Sequence, residues 1–412
     1  MALISAFGLT VLTPTAVYPQ REQVAQEETE GFTEGAIEGK LDRNSETLEE
    51  NGSYFETHTF QGREGEIVVI ELKSDQFDAY LLLRDTEGNL IAQNDDGGEG
   101  KDAKIVFTLP ETGTYTIIVN TYEAGDTGSY QLSWREGTRE DLLVQRSDEL
   151  IKAEELNQQA IQLSREGKYA EAIPFAQQAL AMYKRLFPDD HPNVATSLNN
   201  LAGLYESQGR YSEAEPLYQQ ALAMYKRLFP DDHPNVATSL NNLAFLYVSQ
   251  GRYSEAEPLY QQALAMYKRL FPDDHPNVAN SLNNLAFLYE SQGRYSEAEP
   301  LYQQALAMKQ RLFPDDHPDV ALSLNNLAGL YESQGRYSEA EPLYQQALAM
   351  YQRLFPDDHP DVAISLNNLA VLYESQGRYS EAEPLYQQAL AMTQRLFPDD
   401  HPDVATSLNN LA

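Results

Sequence analysis

The chain contains no cysteine. That absence removes thiol nucleophiles, disulfides and cysteine-ligated metals, and leaves the redox compartment open. Basic residues are scarce: 29 lysines and arginines stand against 63 acidic residues, for a net charge of −34. Nucleic acid and anionic membranes both reward a basic surface, so neither is expected as a partner. No apolar run is long enough to span a bilayer. Catalytic signatures are missing too, since no nucleophile elbow, phosphate loop or paired-carboxylate motif occurs. His58 is the only histidine outside six copies of "PDDH", and a lone strand histidine reads as structural. The chain is therefore read as non-catalytic, with no cofactor and no metal.

Apolar residues make up 42% of the 412 positions, enough for two or three packed domains. The start, "MALISAFGLTVLTPTAV", has the length of a signal-peptide core, but the first basic residue is Arg21 and Pro14 stands where cleavage wants a small side chain. An acidic tract, "REQVAQEETEGFTEG", follows and completes a first segment, 1–35. From 36 to 135 the pattern is β: "EIVVIELK", "FDAYLLLRD", "AKIVFTL", "GTYTIIVN" and "GSYQLSW" are separated by turn clusters. About seven short strands without helices predict an antiparallel sandwich. "NDDGGEG" could hold calcium through Asp95 and Asp96, but it lacks a spaced ligand loop and reads as a turn.

After a linker at 136–150 that opens the first helix, the chain repeats every 42 residues. A divergent unit at 151–192 precedes five near-identical units at 193–402, and 403–412 begins another. Each unit predicts two helices that must stack on neighbours to bury their apolar stripes. In the first helix the stripe is Leu198, Leu201, Ala202 and Tyr205, ended by Gly209. Ser212 and Glu215 have the spacing of a capping box for the second. The "PDDH" sets precede the next helix, where Asp and His can cap it; a fixed stacking step keeps them from converging on one ion.

Residues "FDAYLLLRDTEGNLIAQNDDGG", "FTLPETGTYTIIV" and "GSYQL" resemble the bacterial pre-peptidase C-terminal domain. That resemblance implies a non-catalytic appendage of an exported protein, so a periplasmic or extracellular place is expected over the cytoplasm. "LNNLAGLYESQGRYSEAEPLYQQAL" resembles a tetratricopeptide unit, and the longer form with "DDHP" is similar to kinesin light chain repeats. Together they imply a multidomain chain, an all-β sandwich followed by an all-α right-handed solenoid.

Three columns vary within the first helix: Thr196, Thr238, Asn280, Leu322 and Ile364; Gly203, Phe245, Phe287, Gly329 and Val371; and Glu206, Val248, Glu290, Glu332 and Glu374. Others are the Asn/Asp at 193 and its copies, and Tyr225–Lys226 and theirs. By helical spacing the first-helix columns surround the invariant pairs Asn199–Asn200, Asn241–Asn242, Asn283–Asn284, Asn325–Asn326 and Asn367–Asn368. The resemblance implies that this face lines a concave groove. Asparagine amides both donate and accept, so a ladder of them suits an extended peptide backbone. Phe245, Val248, Phe287, Leu322, Ile364 and Val371 would take apolar side chains, and the glutamates would favour basic ones. Drift on an exposed face is the competing reading, yet Ser207, Gln208, Gln219 and Gln220 look equally free and do not vary.

The expected function is a scaffold that binds protein or peptide segments. The alternative is the regulatory part of an exported or signalling enzyme, for example one with a caspase-like CHAT domain beyond Ala412, where the last unit is unfinished. Ligand identity and oligomeric state stay open.

Overall fold

The computed structural model describes residues 34–48, 52–94, 102–397 and 402–411. The apolar start and the Asp95–Asp96 turn lie outside the described residues. The chain divides near Glu155 into a β unit and a helical unit.

The β unit has nine strands: β1 Gly35–Leu41, β2 Glu46–Thr47, β3 Tyr54–Gly62, β4 Ile67–Lys73, β5 Ala79–Arg84, β6 Leu90–Asn94, β7 Ala103–Thr108, β8 Gly113–Thr121 and β9 Gly128–Glu136. They form two antiparallel sheets, ordered β1-β9-β4-β7 and β2-β3-β8-β5-β6. Between them lies one apolar core that includes Leu41, Ile70, Leu72, Leu81, Ile117 and Leu132.

Nine strands replace the expected seven because the early ones carry little β signal. β1 reads "GAIEGKL", and its glycines make room for aromatic rings of β9. A Cβ on Gly35 would stand 1.9 Å from Trp134, and one on Gly39 2.2 Å from Tyr130. His58 on β3 joins a half-buried polar link: its Nε2 lies 2.9 Å from the Tyr130 hydroxyl, which donates to Glu56 at 2.6 Å. Burial holds the His58 pKa below its ordinary value, in keeping with a structural histidine.

The first helix, α1 Arg139–Arg165, begins earlier than 151. Thr138 and Asp141 cap it reciprocally, with Thr138 N–H donating to Asp141 at 2.7 Å and Asp141 N–H to Thr138 Oγ1 at 3.2 Å. Arg135 pairs with the same carboxylate at 2.6 Å and holds its pKa well below the usual range.

Helix pairs follow without interruption by strands among the described residues: α2 Tyr169–Leu186, α3 Pro192–Ser207, α4 Tyr211–Leu228, α5 Pro234–Ser249, α6 Tyr253–Leu270, α7 Pro276–Ser291, α8 Tyr295–Leu312, α9 Pro318–Ser333, α10 Tyr337–Leu354, α11 Pro360–Ser375, α12 Tyr379–Leu396 and α13 Pro402–Leu411. Leu198, Leu201, Ala202 and Tyr205 are all buried, as their spacing demands.

Proline at the first position starts each odd helix from α3 to α11, and the preceding histidine caps it. His191 Nδ1 accepts from Asn193 N–H at 3.2 Å while its ring stacks on Phe187 at 3.6 Å, and the copies repeat this geometry. Asp190, beside the histidine, is held by Arg227 at 2.5 and 2.7 Å.

The capping box at Ser212 and Glu215 does not form. α4 starts at Tyr211, the Arg210 carbonyl accepts from the N–H groups of Glu213 and Ala214, and Ser212 turns to Glu213. Glu215 is drawn instead to Arg252 of the next unit at 2.6 Å, and that guanidinium lies 4.1 Å over the Tyr247 ring. The bridge recurs at Arg294–Glu257, Arg336–Glu299 and Arg378–Glu341. Among the described residues no helix is long and apolar enough to cross a membrane, and no three or more His, Asp or Glu side chains converge as a metal site would need.

Candidate interaction face

The asparagine pairs divide into two roles. Asn199 is 8% exposed, and its Nδ2 donates to Ser239 of the next unit at 2.8 Å; Asn241 donates to Ser281 at 3.0 Å. Asn283 and Asn325 are as buried as Asn199, and the Oδ1 atoms of Asn283, Asn325 and Asn367 are enclosed. This corrects the expectation that both members of each pair face a ligand. A residue 100° around the helix from its neighbour turns toward the adjoining repeat once the units stack.

The second members stand apart. Asn242, Asn284, Asn326 and Asn368 are half-exposed, and their side chains form no hydrogen bond among the described residues. Asn200 differs, since it donates to Asn157 at 3.4 Å. Gly203, Phe245 and Phe287 are likewise partly open, and Val371 is 37% exposed.

The glutamate column is also more enclosed than its spacing implied. Tyr218 donates its hydroxyl proton to Glu206 at 2.8 Å, and burial pushes that carboxyl up to about 7. Tyr302 and Tyr344 hold Glu290 and Glu332 in the same way, and burial raises both carboxyls. Val248 is a second correction: at 8% exposure it is a packing residue and not a contact for a ligand. With no carboxylate at 248, the Tyr260 hydroxyl is fully buried without a partner.

The remaining first-helix column is tied to the end of the second helix. Thr196 meets the Tyr225 hydroxyl at 2.6 Å and Thr238 meets Tyr267 at 2.7 Å. Two of the variable columns are therefore contacting partners, a signal the sequence held only as their joint variation. Leu322 and Ile364 belong to this column and are half-buried.

Six overlapping stretches, 152–227, 221–269, 235–311, 277–353, 319–395 and 361–412, match the Tetratricopeptide repeat family. The chain is a tetratricopeptide repeat protein. Its β unit matches the Bacterial pre-peptidase C-terminal domain over 54–121, a bacterial module often found in secreted proteins. No curated protein matches the tetratricopeptide chain.

Solved structures similar to it include a protein from Podosopora anserina described as a kinesin light chain with nearly identical repeats. It is 27% identical, covering 49% of this chain and 95% of that one, with a TM-score of 0.43. BtubC (BKLC) from P. vanneervenii is 24% identical, covering 62% and 94%, with a TM-score of 0.45. A Rap protein complexed with Competence and Sporulation Factor is 17% identical, covering 62% and 72%, with a TM-score of 0.46. The architecture of the tetratricopeptide array is that of a protein-interaction scaffold.

Proposed function

We propose that the array binds an extended peptide segment of a protein partner, outside the cytoplasm, along the open face of its first helices. The observation that carries this reading is the contrast within each asparagine pair. The first amide has its oxygen enclosed in the stack in every unit, and in the first two units it also bonds a serine of the next repeat, whereas the second recurs half-buried and unbonded at Asn242, Asn284, Asn326 and Asn368. A free amide at each step can donate to a peptide carbonyl and accept from a peptide N–H, whatever the peptide sequence. Phe245 and Phe287 then receive an apolar side chain, with Gly203 and Gly329 leaving space on either side. Leu322, Ile364 and Val371 extend the apolar character along the array. Glu290, Glu332 and Glu374 have tyrosine hydroxyls and no arginine as their bonded partners; a basic side chain of the ligand supplies the missing countercharge.

A peptide-library screen tests the reading. Asn284→Ala and Asn326→Ala are each expected to weaken binding by about 1–3 kcal/mol, the cost of losing hydrogen bonds at a desolvated contact. Phe245→Gly and Phe287→Gly, which install the residue of sister units, should change which peptides are selected. Gln304→Ala, on the exposed side of α8, serves as the control and should bind as wild type does. Equal losses in face and control variants, or unchanged selection, would overturn the proposal.

A further inference from the structure

Three of the five second helices carry a buried tyrosine in their last turn, Tyr225, Tyr267 and Tyr351, each 3–4% exposed. In the third unit Lys309 takes that place and is still more enclosed, at 1% exposure. In the first two units the tyrosine hydroxyl meets a threonine, so the pair is neutral and satisfied. Lys309 makes no hydrogen bond and no ion pair through its ammonium group among the described residues. Asn280 of α7 stands where the threonines stand, and Asp319 of α9 stands where the earlier units carry asparagine.

We propose that the joint between α8 and α9 is a built-in point of opening, loaded by the buried Lys309 ammonium and eased when that group escapes toward Asp319 and water. A buried charge without a bonded partner costs free energy in the closed state, and solvation returns it on opening. Solenoid units are coupled mainly to their neighbours, so a loaded interface opens locally while the rest stays folded.

The charged group facing Lys309 is Asp319 across the joint; α7 presents the uncharged Asn280 position, and Arg311 of α8 is engaged with Asp274 at 2.5 and 2.8 Å. Burial lowers the lysine's pKa, and Asp319 only partly opposes this. Because the folded value lies below the unfolded one, the joint is weakest in the protonated state and firms as pH rises through the folded value toward the unfolded one.

Hydrogen exchange on the full chain reads the joint against its own sisters. Segments 300–325 and 258–283 are equivalent in the repeat but differ in sequence, so their fragments are separable by mass. After correction for intrinsic rates, 300–325 is expected to exchange about tenfold faster near pH 7, the effect of a loaded local opening. Lys309→Met, which keeps the packing and drops the charge, and Lys309→Tyr with Asn280→Thr, which installs the neutral pair, should each bring the ratio to about one. Equal protection in the wild type, or a ratio that persists in Lys309→Met, would overturn the proposal.

Discussion

Acidification from about pH 7.5 to pH 5 is expected to weaken the histidine caps, lowering the melting temperature of the array by on the order of 5 °C relative to a chain whose caps do not titrate. Five helices, α3, α5, α7, α9 and α11, begin on a histidine whose Nδ1 accepts a backbone N–H. A protonated Nδ1 has no lone pair to accept with, and an imidazolium is repelled by the positive end of the helix dipole. Burial lowers the pKa values of His191, His233 and His275. Folded values below the unfolded one mean that the stability is present at neutral pH and is lost as pH falls through the folded values. Removing a cap costs about 0.5–2 kcal/mol, so these three act together as a large term. Replacing His191, His233 and His275 by asparagine, a good cap that does not titrate, should flatten the loss. Ellipticity at 222 nm, followed against temperature at each pH, measures it on the helices. A wild type that loses no more on acidification than the asparagine-capped chain would contradict the capping account.

Glu206 is expected to act in the opposite direction. Its carboxyl is raised from 4.5 to about 7 by burial, so the folded state favours the neutral form. Stability from this group is greatest below the unfolded value and falls as pH rises toward 7, by on the order of 3 kcal/mol. Glu206→Gln keeps an acceptor for Tyr218 and does not titrate. It should raise stability near pH 8 by a comparable amount and change little near pH 5. Glu290 and Glu332, whose carboxyls burial also raises, act in the same direction as Glu206 and against the caps. Denaturant melts at the two pH values check this. Equal effects of the substitution at both would mean that Glu206 is ionised throughout.

The helix pairs were legible because a 42-residue period repeats one apolar stripe, and every member of that stripe in the five complete units is buried. The histidine caps were legible as well, since a side chain directly before a proline-led helix has few other uses. The strands β1 and β3 were not, because glycines under aromatic rings and alternating polar residues leave no apolar run to find. The spacing of Ser212 and Glu215 pointed to a local cap, but an arginine 37 residues on in sequence took the carboxylate. The face itself was half legible. Thr196 and Tyr225, from two variable columns, touch each other, and Val248 differs from Glu206 inside packed structure. Two adjacent asparagines of one type gave no sign of which would turn to the next repeat, because that direction exists only once the units have stacked.

That division of labour is the central claim, and neighbouring residues of α5 test it most directly. Thermal stability and peptide binding should be measured together on Asn241→Ala and Asn242→Ala. Asn241 donates to Ser281 of the next unit, so its loss should lower stability by about 1 kcal/mol while leaving peptide selection as it was. Asn242, half-exposed and unbonded, should keep the stability of the wild type and lose about tenfold or more in binding. Asn242→Ala binding like the wild type, or destabilising the array as much as Asn241→Ala, would contradict the account.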